Sequence, residues 1–317
     1  MRILVTGASG FVGASLCSRL RRDGHDVVAA VRDKDSLPAA DGLTVKAIGD
    51  IGASPSWDDP LSGVDAVVHL AAMVHQMGKV VPSAAEYTRV NAAATEDLAA
   101  ACIRNGVRRL VFLSSVKVNG ECSGPVSYTE ADTPRPEDPY GLSKLQAERS
   151  LASLGSEGRL ETVIVRPPLV YGPGVRANFL RLIGIVDRMN PVVVPALVSK
   201  RSFVGLGNLV DVLTLCTAHP GAAGQTFLVS DGEDVTAAEL MRRLATAMGR
   251  RSYVVPVTEA PLRFAARLLG KEQVVKRIVD PLTVSTAHVR SRLGWTPPFS
   301  LDAGLDLTLQ WYRTAAR

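Results

Sequence analysis

Short apolar runs alternate with amphipathic stretches along the chain, a pattern that predicts strands and helices in turn. Ile3-Leu4-Val5 reads as a buried strand, followed by a glycine turn and a helix whose apolar stripe includes Leu16 and Leu20. Val27–Val31, Val45–Ile48 and Val64–Leu70 read as the next three strands. Asn91–Ile103, rich in alanine and leucine, predicts a helix packed on the sheet. Leu110–Leu113 and Glu161–Arg166 continue the strands, with a proline- and charge-rich stretch at 129–139 and a helix from Tyr140 between them. From Val175 the rhythm loosens. Gln225–Ser230 resembles a strand, and Thr236-Ala237-Ala238-Glu239 is a capping box for a helix through Met241, Leu244 and Met248. Leu301–Tyr312 predicts a closing amphipathic helix.

The first strand and helix are joined by Thr6-Gly7-Ala8-Ser9-Gly10-Phe11-Val12-Gly13. Gly7 permits turn dihedrals, Gly10 lets the backbone approach a pyrophosphate, and Gly13 lets the helix close on the strand. The N–H groups and dipole of the first helical turn attract an anion. Glycine spacing alone is a weak signal; its place between a strand and a helix is what predicts dinucleotide binding. The expected fold is α/β, a Rossmann-type doubly wound parallel sheet over residues 1–170. A smaller α/β substrate lobe is expected over residues 171–317, with strand or helix exchange back to the first domain.

The cofactor contacts expected from this turn are Gly7, Ser9, Gly10, Phe11, Val12 and Gly13. Arg32 follows the second strand, where an acidic residue would accept hydrogen bonds from a free ribose. A guanidinium there suits a 2′-phosphate, so NADP(H) is the preferred cofactor and NAD(H) the alternative. Asp50, with Ile51, is either an adenine contact or a turn residue. Leu70, Ala71 and Ala72 leave the fourth strand, and their small side chains let a loop pass close to the cofactor. Pro167 begins a proline- and glycine-rich wall expected beside the nicotinamide. His69 has no companions at metal-ligand spacing and reads as a structural histidine; no metal site is expected. Asn91 either bridges backbone segments or caps its helix.

Ser114 and Ser115 end the fifth predicted strand, at the sheet edge where ligands of parallel sheets bind. Tyr140 and Lys144 fall on one helical face, one turn apart. A phenol with an ordinary pKa near 10 donates a proton when neutral and accepts one as phenolate, and an adjacent ammonium lowers the cost of that anion. Ser115 is placed to orient the same substrate oxygen. Together Ser115, Tyr140 and Lys144 predict proton exchange coupled to hydride transfer. His75 is a candidate substrate contact. Arg176, Asn178, Lys200 and Arg201 are candidates for a diphosphate-bearing substrate, Arg201 foremost.

The chain has 317 residues, 46% of them hydrophobic, enough for a substantial core. Its net charge of +5 and pI of about 9.1 suit an anionic ligand. Eleven basic and three acidic residues make residues 241–292 the most positive stretch, at +8. No aromatic residues interleave a basic tract, which argues against nucleic acid. Cys17, Cys102, Cys122 and Cys216 form no CxxC pair, and no apolar run of 18 or more residues suggests a membrane span. The first strand leaves no room for a signal peptide, so a cytoplasmic enzyme is expected.

These motifs resemble the extended short-chain dehydrogenase/reductase superfamily, the NAD-dependent epimerase/dehydratase family, in its nucleotide-sugar branch. The likeness rests on the glycine turn, His69-Leu70-Ala71-Ala72, Ser114-Ser115, Tyr140 through Lys144 and Arg166 through Gly174. Arg201-Ser202-Phe203-Val204, Asn208 through Asp211 and Leu293-Gly294-Trp295 extend it. The resemblance implies catalytic roles for Ser115, Tyr140 and Lys144, a nucleotide-diphosphate contact for Arg201 and a substrate contact for Asn178. Lys117 joins the expected substrate contacts. Asn119 stands where the family often has tyrosine, and Ser202 where it often has aspartate. Val116-Lys117 replaces the Asp-Glu pair of 4,6-dehydratases, which argues against dehydration.

The run from Ser114 to Glu121 is similar to bacterial UDP-N-acetylhexosamine 4-epimerases and to reductases that form UDP-N-acetylquinovosamine. Arg32 favours the second, an NADPH-dependent reduction of UDP-2-acetamido-2,6-dideoxy-4-hexulose at C4. The alternatives are an NAD-dependent UDP-GlcNAc or UDP-glucose 4-epimerase, and a non-catalytic NADP-sensing protein. A homodimer is implied by the family and by apolar faces around residues 91–104 and 142–154.

Overall fold

The computed structural model describes residues 1–38, 40–74, 82–156, 158–189, 191–195, 198–255 and 280–315, with the backbone alone at 193–195 and 254–255. The fold opens with β1 (Arg2–Thr6), α1 (Phe11–Arg22), β2 (Asp26–Val31), β3 (Leu43–Ala47), α2 (Asp58–Leu61) and β4 (Ala66–His69). Next come α3 (Ala84–Tyr87), a π-helical turn (Thr88–Ala93), α4 (Ala94–Arg104), β5 (Arg109–Leu113), α5 (Pro139–Ser156) and β6 (Glu161–Arg166). They are followed by β7 (Leu169–Tyr171), α6 (Ala177–Arg188), β8 (Val192–Pro195), β9 (Lys200–Gly205), α7 (Leu206–Ala218) and β10 (Thr226–Leu228). β11 (Asp234–Thr236), α8 (Ala237–Ala247), β12 (Ser252–Val255), α9 (Ala287–Leu293) and α10 (Leu301–Ala315) complete the described elements.

Seven strands form one parallel sheet in the order β3-β2-β1-β4-β5-β6-β10, the doubly wound Rossmann arrangement. Its strands are apolar because helices cover both faces. Ile3 and Val5 pack with Leu16, Leu20, Leu209 and Leu213, whereas Leu4 packs on the opposite face with Leu98, Leu110 and Leu151. β10 adds to the sheet edge beside β6, and α7 lies against α1, so residues beyond 170 complete the first core. The fully buried Arg109 binds Glu161 at 2.6 Å and donates to the carbonyls of Cys216 and His219 at 2.9 and 2.8 Å, fastening the end of α7 to β5.

The smaller lobe is α/β as well, built on the sheet β11-β9-β7 and the pair β12-β8. Tyr171, Phe179, Ile183, Phe203, Leu244, Leu305 and Leu309 form its core. The Asp231 carboxylate joins it to α7, accepting hydrogen bonds from Tyr171, Gly205 and Asn208 at 2.7 Å each. Among the described residues, no helix is long and apolar enough to cross a membrane.

A buried polar chain shapes the sheet edge that bears the site. Thr6 and His69 are register partners of β1 and β4. The Thr6 hydroxyl accepts from the N–H groups of Leu70 and Ala71, both at 3.1 Å, and donates to His69 Nδ1 at 2.7 Å. His69 Nε2–H donates to Thr95 Oγ1 at 2.9 Å, and that hydroxyl donates to the Asn91 carbonyl at 2.7 Å. One proton per hydroxyl permits only the neutral Nε2–H tautomer. Asn91 Oδ1 accepts the Met73 N–H at 2.7 Å, while its Nδ2 donates to the Met73 carbonyl and to Ser143 Oγ, both at 3.0 Å. The helix expected to begin at Asn91 belongs to a longer helical run that begins at Ala84 and passes through the π-helical turn into α4. That turn sits where the Asn91 side chain is drawn across to the β4 loop.

Two stability predictions follow from these contacts. A Cβ on Gly13 would lie 2.1 Å from the Gly7 carbonyl, whereas one on Gly184, inside α6, would meet nothing within 4 Å. Gly13→Ala is expected to lower the unfolding free energy by about 2 kcal/mol, and Gly184→Ala to raise it by about 0.5 kcal/mol; chemical denaturation distinguishes them by sign. Burial, reinforced by the charge of Lys144, holds the His69 pKa down from 6.5 to about 3. The unfolded chain takes up this proton first, so stability falls as pH drops from 6.5 towards 3. Between pH 6.5 and about pH 5 this amounts to about 2 kcal/mol. His69→Asn should lack that component when unfolding is measured at both pH values.

Candidate active site

Carboxyl ends of the parallel strands carry the functional residues to one edge. The turn after β1 holds Gly7 at φ +64°, where a Cβ would come within 2.9 Å of the Ala71 nitrogen, so this glycine lets the β1 and β4 loops touch. α1 begins at Phe11 with Gly10 as its cap and no acidic residue in its first turn. Its leading N–H groups lack helical acceptors, and the helix dipole makes this end attractive to an anion. Ser9 and Gly10 are exposed, while Phe11 and Val12 are half-buried. Ala71 and Ala72 face this turn region as half-buried loop residues after Leu70. The cradle fits a dinucleotide because its glycines let the turn, the β4 loop and α1 pack backbone to backbone, which leaves the exposed Ser9 and Gly10 at the open end of the helix.

At the end of β5, Ser115 caps the short turn 116–118, its Oγ accepting the Lys117 N–H at 3.2 Å. α5 starts just after Asp138, whose Oδ1 accepts the Gly141 N–H at 2.7 Å; aspartate before proline is a natural helix start. Tyr140 thus lies in the first turn, and its phenol is close enough to Ser115 for that hydroxyl to favour the phenolate. The Tyr87 ring meets Tyr140 edge-on, with centroids 6.3 Å apart. Burial, then the charge of Asp138, raises the Tyr140 pKa above the usual tyrosine value, while the neighbouring Ser115 hydroxyl pulls it down.

Lys144 is 1% exposed. Its Nζ donates to the Leu113 carbonyl at 2.9 Å and lies 4.4 Å from the centre of the Phe112 ring. Burial holds its pKa down from 10.5 to about 7, against the pull of the Glu148 carboxylate one turn along. The sheet and α5 therefore bring Ser115, Tyr140 and Lys144 together. A hydroxyl pair and a nearby titratable amine can exchange one proton with a substrate oxygen.

Glu148 and Arg166 form a buried, bidentate pair, with Nε to Oε1 at 2.9 Å and Nη2 to Oε2 at 2.5 Å. Ser114 Oγ donates to Oε1 at 2.5 Å, and Arg166 Nη1 donates to Asn119 Oδ1 at 3.1 Å. Asn119, the departure from tyrosine, is thus a buried partner of Arg166. Pro167 is buried, and its carbonyl accepts the Val116 N–H at 3.0 Å. Sequence reading missed Glu148, Asp138, Thr6 and Thr95 as supports. The position of Glu148 four residues after Lys144 was a usable signal for one of them, whereas Thr6 and Thr95 meet His69 only through folding.

The remaining residues are more dispersed. Asp50 accepts from Gly52 N–H at 3.0 Å and pairs with Arg89 at 3.3 Å, and Ile51 packs into the core under α4. Arg201 is half-buried on β9 and donates to the Asp280 carbonyl at 2.7 Å. Asn178 is exposed in the first turn of α6, beside Ala177 at φ +56°. Lys117 binds two carboxylates, Glu121 at 2.6 Å and Asp138 at 2.5 Å. Ser202 is buried, donating to Asp234 and accepting the Val284 N–H at 2.9 Å. His75 and the middle of the basic 241–292 stretch, residues 256–279, lie outside the described residues. Among the described residues, no group of three or more His, Cys, Asp or Glu is arranged to hold a metal ion.

A UDP-glucose 4-epimerase of Vibrio cholerae is 42% identical over 318 residues, covering 99% of this chain and 96% of that protein. MoeE5 in complex with UDP-glucose and NAD has a TM-score of 0.79 and 30% identity, covering 100% of both chains. In complex with UDP-glucuronic acid and NAD it has a TM-score of 0.78 and 29% identity, covering 99% of this chain and 100% of its own. These NAD complexes overturn the expected NADP(H) preference. The physical error lay in Arg32: its side chain is exposed, and its charge favours the ionised Asp50 carboxylate, so an arginine after β2 does not by itself require a 2′-phosphate. The family of NAD dependent epimerases and dehydratases matches residues 3–230, well over half of the chain. The motifs, the Rossmann sheet and this match agree, and the chain is an NAD(P)-binding oxidoreductase that belongs to the NAD dependent epimerase/dehydratase family.

Proposed function

We propose that this chain is an NAD-dependent 4-epimerase of UDP-sugars, with UDP-glucose or UDP-N-acetylglucosamine as substrate. The observation that carries the reading is the Tyr140 phenol beside Ser115 on the turn after β5, with Lys144 one turn along α5. Likeness to a UDP-glucose 4-epimerase along 99% of the chain supports the reaction class. Net reduction drew its support from a 2′-phosphate partner for Arg32, and that premise has gone.

NAD bound in the glycine cradle would supply a hydride acceptor, and then a donor, for the sugar C4. Tyr140 acts as the base for the C4 hydroxyl in its phenolate form, and as the acid for the 4-oxo oxygen in its phenol form. Ser115 hydrogen-bonds the same oxygen and holds it beside Tyr140. The Lys144 ammonium favours the phenolate, and the Leu113 carbonyl fixes where that charge sits. Arg201 takes the diphosphate with its guanidinium oriented by the Asp280 carbonyl, and Asn178 contacts the sugar. Val116 and Lys117 supply no acid pair for dehydration.

Incubation with UDP-glucose, or with UDP-N-acetylglucosamine, is expected to yield its C4 epimer without added NADPH, as followed by proton NMR of the product. Stoichiometric NADPH loss on a 4-keto-6-deoxy UDP-sugar, without epimerisation of either substrate, would refute the reading. Tyr140→Phe removes the transferable proton and should cut turnover by roughly 10² or more while NAD binding persists. Near-normal turnover in that variant would remove Tyr140 from the mechanism.

A further inference from the structure

Lys117 follows Ser115 by two residues, and Asp138 precedes Tyr140 by two. Their side chains meet: Lys117 Nζ donates to Asp138 Oδ2 at 2.5 Å and to Glu121 Oε1 at 2.6 Å. Lys117 and Asp138 are only 24% and 20% exposed in their side chains, so the pair is shielded more than a surface salt bridge. The other Asp138 oxygen accepts the Gly141 N–H and caps α5. One carboxylate thereby grips both Lys117 and the helical turn that carries Tyr140.

Backbone packing closes the same ring. A Cβ on Gly141 would lie 2.8 Å from the Lys117 carbonyl, so the first turn of α5 rests directly on the turn after β5. Ser115 Oγ accepts the Lys117 N–H and lies beside the Tyr140 phenol, whose anion it favours. Thus Lys117 is tied to Ser115 through its backbone and to the Tyr140 turn through its side chain.

We propose that the Lys117–Asp138 ion pair is a positioning device that sets the approach of Ser115 to Tyr140 and neutralises the carboxylate facing the phenol, and that Lys117 is not a substrate ligand. The role rests on the epimerase reading. The groups facing Tyr140 are Asp138 just before α5, Tyr87 from α3 and Ser115 from the β5 turn, with Lys144 one turn along α5 and Glu121 joined to Asp138 through Lys117. Asp138 disfavours the phenolate, and Lys117 offsets that charge. Without Lys117, two carboxylates stand uncompensated, so the phenolate forms at higher pH. Asp138→Asn keeps a capping side chain but removes the charge, so the phenolate forms at lower pH.

The test compares NAD-loaded wild type, Lys117→Met, Asp138→Asn and the double variant, with kcat and KM for UDP-glucose measured against pH. Lys117→Met should lower kcat near neutral pH about tenfold with KM changed less than about threefold, and move the rising limb of kcat up by about one pH unit. Asp138→Asn should move the limb down, and the double variant should recover most of the kcat loss. Lys117→Arg should restore the limb, and Asp138→Asn carries the test if Lys117→Met does not fold. A raised KM with unchanged kcat and limb in Lys117→Met would make Lys117 a substrate ligand and overturn the proposal, as would single variants that shift the limb the same way. If wild type fails to turn over UDP-sugars, the epimerase reading alone fails. The ¹³Cζ signal of Tyr140, assigned with Tyr140→Phe, is then followed against pH in the NAD-loaded protein. Opposite shifts in the two single variants uphold the pairing, and unshifted titrations reject it.

Discussion

A carboxylate and a guanidinium removed from water hold the candidate site's edge of the sheet in place. Glu148 and Arg166 are both under one-tenth exposed, and desolvating two such charges is costly unless every lone pair and N–H finds a partner. Here Ser114 and Asn119 supply the remaining partners. Removing either charged side chain from a pair of this kind typically costs about 3–5 kcal/mol, because the other is left buried and unpaired. The pair joins three segments: α5 one turn beyond Lys144, the exit of β5 at Ser114 next to Ser115, and the exit of β6 at Arg166 next to Pro167. Ser115 and Lys144 project from parts that cannot shift independently.

A second set of buried polar contacts secures the side of the glycine turn. Thr6, His69, Thr95 and Asn91 form a directional chain of hydrogen bonds, and Asn91 also grips Met73, so the loop after β4 is fixed from two directions. This matters because Gly7 allows that loop to touch the turn at the head of α1. The smaller lobe is secured in a similar way by Asp231, whose carboxylate unites Tyr171, Gly205 and Asn208. In each case a satisfied buried polar group sets a geometry that apolar packing alone would leave looser.

Charged residues at the site were harder to interpret from sequence than apolar ones. Arg32 looked like a partner for a phosphate, yet the fold puts its charge near Asp50, which also pairs with Arg89. Lys117 reads as a substrate contact in the sequence, which gives no sign that the fold brings Asp138 to 2.5 Å from it. An exposed apolar residue costs the same in almost any surroundings, whereas the effect of a charge is decided by what stands opposite it.

The strand–helix alternation, the glycine turn and the one-turn spacing of Tyr140 and Lys144 were legible in the sequence, because side-chain periodicity and glycine dihedrals are local properties. So was His69 as a structural residue, from its lack of ligand partners. The return of α7 and β10 to the first sheet was open in the sequence, because their placement depends on pairing across more than fifty residues. Tertiary structure alone decided that Glu148 would meet Arg166, that Asp138 would hold Lys117, and that burial would bring Lys144 to a pKa of about 7. Local sequence sets which conformations a segment prefers; the protonation and partners of a charged group depend on solvent exclusion and on neighbours that only the folded chain assembles.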